Sequence, residues 1–100
     1  MDTIISIALN KKITFEQVDD EYCIFNEETN RISTLNSTAG EIFSFLLNTL
    51  RTSDKCLMLS EIVTHLKAKF DIPDELARTV EIDVEMTLAS FRDEAFFVFS

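Results

Sequence analysis

Apolar positions recur at every second residue in the first third of the chain and at every third or fourth afterwards, which predicts strands first and helices later. "TIISIAL" (Thr3 to Leu9) and "KITFEQV" (Lys12 to Val18) are rich in β-branched and aromatic residues and read as strands, with Asn10, Lys11 and Lys12 forming the turn between them. Asp19, Asp20 and Glu21 interrupt the pattern. In "YCIF", Tyr22 and Ile24 then fall on one face and Cys23 and Phe25 on the other. "NEETNR" supplies turn formers, with Asn26 and Asn30 both tolerant of left-handed backbone. "RISTL" returns with Ile32 and Thr34 on one face and Ser33 and Leu35 on the other, which predicts a hairpin.

Helical spacing takes over at Ile42, Phe43, Leu46, Leu47 and Leu50, after a cap at Asn36 or Ser37, with Glu41 within a residue of a capping-box acid. Gly40 in that first turn suits close backbone packing. "RTSDKCLM" is a loop, with a short extended end at "CLML". A second helix is expected from about Ser60, as its cap, to Phe70, burying Ile62, Val63, Leu66 and Phe70. A third follows "DIP", with Pro73 in the first turn, and runs from about Asp74 to Phe91 or beyond. Its core stripe is Leu76, Val80, Val84, Thr87, Leu88 and Phe91. Ile82, Met86 and Ala89 make a smaller apolar stripe on the opposite side, and one core needs only one stripe. "AFFVFS" closes the chain as a short strand or a packed tail. The expected class is α+β: about three to four antiparallel strands, then three helices, laid out as in a small winged helix-turn-helix domain.

Composition narrows the function. One hundred residues, 46% hydrophobic with a single Gly and a single Pro, make one globular domain. Eighteen acidic against nine basic side chains leave a net charge of −9. Such a chain repels polyanions, so nucleic acid and anionic membrane surfaces are excluded as partners and a basic or neutral peptide or protein fits better. The candidate recognition helix of a DNA-binding reading carries Asp74, Glu75, Glu81, Asp83, Glu85 and Asp93 against Arg78 and Arg92 alone. The N-terminal apolar run is too short for a signal peptide or membrane span, which points to the cytoplasm. Cys23 and Cys56, 33 positions apart with no CxxC, give no zinc site and read as reduced thiols. His65 stands without a nucleophile motif and the sole glycine rules out a phosphate loop, so no enzyme, metal or cofactor chemistry is expected.

"YCIFNEETNRISTLNSTAGEIFSFLL" resembles the PqqD-like family, the RiPP recognition elements, through Asn26, Thr29, Ile32, Leu35, Asn36, Thr38, Ala39, Ile42, Phe43 and Leu46. "LSEIVTHLKAKFDIPDE" looks like the family's second helix and the junction after it, so the resemblance spans roughly residues 13 to 96. Two stretches depart from the family: "NTLRTSDKCLM" is longer than the usual link between the first helices, and "AFFVF" replaces a common Gly-Leu-[Ile/Val].

The resemblance implies a non-catalytic domain that captures the leader segment of a ribosomally made precursor peptide and presents it to a maturation enzyme, such as a radical SAM enzyme or a leader protease. The leader adds as a strand against the third strand of the sheet, beside the third helix. By position that edge is Arg31, Ile32, Ser33, Thr34 and Leu35, with Ile82, Met86 and Ala89 as the helical wall. Asp83 and Glu85 flank the wall and suit a basic leader residue. Against this stand plainer readings. Ile82, Met86 and Ala89 pack against the N-terminal strands or a homodimer partner, and the edge is an internal strand. The alternative function is an acidic winged-helix protein-interaction or regulatory subunit.

Overall fold

The computed structural model describes residues 4–19, 21–52 and 56–99; Thr3, Asp20, residues 53–55 of the long loop and Ser100 lie outside them. Among the described residues six strands and three α-helices follow in the order β1 (Ile4–Leu9), β2 (Ile13–Val18), β3 (Glu21–Asn26), β4 (Arg31–Leu35), α1 (Ser37–Arg51), β5 (Cys56–Met58), α2 (Leu59–Lys69), α3 (Ala77–Asp93) and β6 (Phe97–Phe99). A single 3₁₀ turn at Asp74–Leu76 leads into α3. This is the α+β order that the apolar pattern predicts, with the extended end at "CLML" and the C-terminal run both realised as strands.

The strands form two three-stranded antiparallel sheets, β2-β3-β4 and β5-β1-β6. In the first, the hairpin forms as the alternation requires. Tyr22, Ile24 and Asn26 are buried, Cys23 is exposed, and Asn30 takes the left-handed backbone, φ 58°, that closes the turn. The first two strands, by contrast, do not pair with each other. The turn at Asn10 is present, Ile13 N–H reaching Asn10 O at 3.3 Å, but β1 turns away to pair with β5 and β6. Asn10 explains the divergence. Its backbone N–H donates to Phe96 O at 3.1 Å and its side-chain amide to Ala95 O at 2.8 Å, tying the end of β1 to the C-terminus. That second sheet buries Ile7, Leu57 and Phe97.

Between the sheets and helices lies one hydrophobic cluster, in which Phe43 of α1 is fully buried and its ring meets those of Phe15, Tyr22, Phe91, Phe96 and Phe97. α1 is capped by Asn36, whose side-chain oxygen accepts the Ala39 N–H at 2.9 Å. Glu41 is no part of that cap: its carboxylate lies 2.7 Å from His65 Nε2, bridging α1 to α2, and the His65 ring lies against Phe45. Ser60 does not cap α2 either. The helix starts one residue earlier, and Glu61 accepts the Met58 N–H at 3.1 Å. Phe70, at the end of α2, is exposed rather than buried because the helix stops there and Asp71 reverses the chain at φ 54°. Leu76 leaves the α3 stripe because it belongs to the tighter turn after Pro73, where side chains no longer follow the 3.6-residue period. Replacing Asn36 by alanine strands one first-turn donor and should lower stability by about 1 kcal/mol in chemical denaturation, with Asn36→Asp closer to the parent.

Candidate functional site

β4 pairs with β3 and with no other strand among the described residues, so one side of Arg31–Leu35 is an open edge. Which of its main-chain groups face outward follows from one bond and the register. Glu27 N–H donates to Lys12 O at 2.9 Å, continuing the β2–β3 ladder past Ile13↔Asn26. Antiparallel ladders exchange bonds at every second pair. Phe25, Cys23 and Glu21 therefore direct their N–H and C=O groups at β2, and Asn26, Ile24 and Tyr22 direct theirs at β4. Their partners Arg31, Ser33 and Leu35 are engaged in the sheet, which leaves the N–H and C=O of Ile32 and Thr34 pointing outward. Side chains alternate independently of this. Ser33 and Leu35 lie on the core side and are half-buried, whereas Ile32, 70% exposed, and Thr34 stand on the outer face.

The helical wall is oriented by its C-terminal end. Among the described residues Asn26 is the one buried amide or charged side chain, and both its oxygen and its amide are bonded. Its oxygen accepts the N–H groups of Glu28, at 2.9 Å, and Thr29, at 3.4 Å, while its amide donates to Glu94 O at 3.1 Å. The Glu94 carboxylate in turn meets Arg31 at 3.6 Å. These contacts pin the end of α3 to the start of β4. At about 100° per residue, the flank of α3 above Glu94 carries Ser90, Thr87 and Asp83. The opposite flank, with Ala77, Arg78 and Glu81, faces α2. Ile82 (44% exposed) and Met86 (67% exposed) stand on the solvent side away from Val80, Val84, Leu88 and Phe91, with Ala89 half-buried beside them. Asp83 and Glu85 are exposed and carry no ion pair among the described residues.

The alternation marks β4 and the 3.6-residue spacing marks the exposed stripe, but the flank of α3 next to β4 carries Asp83, Thr87, Ser90 and Glu94 rather than Ile82 and Ala89, with Met86 at its border. The heptad-like spacing put Thr87 in the core, where it is only half-buried, its hydroxyl donating to Asp83 O at 2.8 Å. Nothing in the pattern marked Glu94.

Lys67 pairs with the exposed Asp74, and its hydrogen bond and charge hold that carboxyl below the usual carboxylate range. Cys23 and Cys56 are free and exposed. Among the described residues no three His, Cys, Asp or Glu side chains gather as a metal site needs, and no helix is long and apolar enough to cross a membrane.

Three comparisons bear on this geometry. The sequence profile of the family described as "Coenzyme PQQ synthesis protein D (PqqD)" matches residues 21–96. No curated protein matches the sequence. Among solved structures, one described as "TbiB1 in Complex with the TbiA(beta) Leader Peptide" superposes with a TM-score of 0.73 over 89% of this chain and 92% of that one, at 19% identity. At that identity the likeness is one of fold.

Proposed function

Since the chain belongs to the PqqD family, we propose that it is a non-catalytic leader-binding domain, which takes an extended segment of a precursor peptide onto the β4 edge and presents it to a maturation enzyme. The observation that carries this is the pair of outward-facing main-chain donors and acceptors at Ile32 and Thr34. An added strand satisfies them without any particular side chain, and alternate side chains of the ligand then supply selectivity. The leader complex of the structurally similar protein is in keeping with it.

On the ligand's core-side positions, side chains meet Ser33 and Leu35 from the strand and the Asp83–Thr87–Ser90 flank of α3, with Met86 at its rim. Met suits that place because its flexible thioether adapts to varied partners. The carboxylate of Asp83, on that flank and without an ion pair among the described residues, favours a leader with Lys or Arg opposite α3; Glu85, two residues on, is turned about 160° away, towards the α2 side. The Arg31–Glu94 pair stands at the start of β4 and bounds the groove there.

The test is titration of isotope-labelled protein with the precursor peptide, read by NMR. Shifts should concentrate on Ile32, Thr34 and the outward side of α3. Perturbations that avoid both would defeat the mechanism even where binding occurs. Met86→Asp should weaken leader binding several-fold with the melting temperature nearly unchanged, as befits a side chain 67% exposed. Unfolding of that variant would instead make Met86 a core residue.

A further inference from the structure

The same sheet has a second open edge. β2 pairs with β3 alone among the described residues, and β1, the strand nearest to it in sequence, is committed to β5 and β6. The register that fixes the outward groups of β4 fixes those of β2 as well. Thr14, Glu16 and Val18 bond towards β3, so the N–H and C=O groups of Phe15 and Gln17 point away from the sheet. A groove runs beside that edge, between β2 and the outer side of α1, with Tyr22 on its floor. Tyr22 is 7% exposed, with its hydroxyl not among the buried unpartnered groups, while Phe15, 39% exposed, stands at the rim. Ser44 lines the groove near its middle.

Two basic side chains line this groove, although β2 itself carries Glu16 on its outer face and is followed by Asp19. Lys69 lines it at the α1 N-terminal end and Arg51 at the C-terminal end, and neither makes an ion pair among the described residues. The one carboxylate on its wall, Glu41, is taken up by His65 at 2.7 Å. On a chain with a net charge of −9, a strand edge flanked by two unpaired cations is the exception.

We propose that the β2 edge and the groove along α1 form a second docking site, which takes an extended acidic segment of another protein by strand addition. The segment's main chain bonds to Phe15 and Gln17, and its carboxylates meet Lys69 and Arg51. A second copy of this chain is the poorer occupant, because it brings a further charge of −9 to the same surface. The two open edges are one strand apart on either side of β3, about 10 Å in all, so both can be occupied at once in a five-stranded sheet. The site goes beyond leader binding and does not depend on it.

The probe is a blocked seven-residue peptide of alternating glutamate and valine, titrated into the full labelled chain beside its lysine-for-glutamate twin. The acidic peptide should shift the amides of Phe15, Gln17, Ser44 and Arg51 and leave Ile32 and Thr34 in place. Gln17→Pro removes an outward N–H that the β2–β3 ladder does not use, and should weaken the acidic peptide at least ten-fold. The exposed double change Arg51→Glu and Lys69→Glu should do the same without touching the backbone. Leader binding, read at Ile32 and Thr34, should survive in both variants, so failure at one edge is separable from failure at the other. Shifts confined to β4, equal binding of the lysine peptide, or undiminished binding by the double variant would each overturn the proposal.

Discussion

Thr34→Pro should lower leader affinity by ten- to a hundred-fold while the protein stays folded. Proline deletes one main-chain donor, and at Thr34 that donor points away from β3. The internal ladder keeps its bonds, and the following strand end is already extended, so the backbone accommodates the ring where an edge faces solvent. An incoming strand, however, sits about 4.8 Å from β4 and meets both a missing donor and the ring itself. Leaving the leader's acceptor without its donor costs about 1–3 kcal/mol, the lost hydrogen bond included. A ten- to hundred-fold loss of affinity, about 1.4–2.7 kcal/mol, lies within that range. Two companion variants isolate the cause. Thr34→Val keeps the N–H and changes only a side chain on the outer face, so it should bind nearly as the parent does. Ser33→Pro removes a donor that serves Ile24 and should destabilise the hairpin instead. Anisotropy with labelled leader and a melting curve for each variant make the comparison. Full affinity in a folded Thr34→Pro protein would rule out strand addition at β4.

That variant could not have been chosen from the sequence. The alternation of "YCIF" and "RISTL" gave the faces, since period two is a local property, and Asn36 marked the helix start for the same reason. Outward and inward main-chain groups are a matter of register, which rests on a bond between Lys12 and Glu27 across a hairpin. Long-range commitments were equally hidden. "TIISIAL" declares a strand, yet its partners lie some fifty and ninety positions away, and only the Asn10 bonds to Ala95 and Phe96 show why it leaves β2. Glu41 sits one residue from a capping position, which is a local pattern, whereas His65, 24 residues on, claims it. The exposed stripe on α3 was visible at 3.6-residue spacing. Which flank of that helix turns to β4 depends on Glu94, whose contacts with Asn26 and Arg31 bring together segments 68 and 63 residues apart in number.

The largest loss of stability should come from Phe43→Ala. The ring is fully buried and lies 5.2–5.4 Å, centroid to centroid, from Phe97, Tyr22 and Phe15, with Phe91 at 5.9 Å and Phe96 at 6.4 Å. Removing it takes away the apolar transfer term and leaves a cavity that rings on several different elements cannot all move to fill, which costs about 3–5 kcal/mol. A domain of this size holds about 5–15 kcal/mol in total, so the change consumes a large part of it. The melting temperature should fall by roughly 15–30 °C in calorimetry. Phe43→Leu retains much of the volume and should fall clearly less. Function should suffer before unfolding does, because Phe43 is the shared neighbour of β2, β3, α3 and β6. It holds the sheet at a fixed distance from the helix that walls the β4 groove. At temperatures where the variant is still folded, leader affinity should therefore drop with no contact residue altered, and Ile32 and Thr34 amide exchange should quicken. A Phe43→Ala protein that melts within about 5 °C of the parent would show that the core is not organised around that ring.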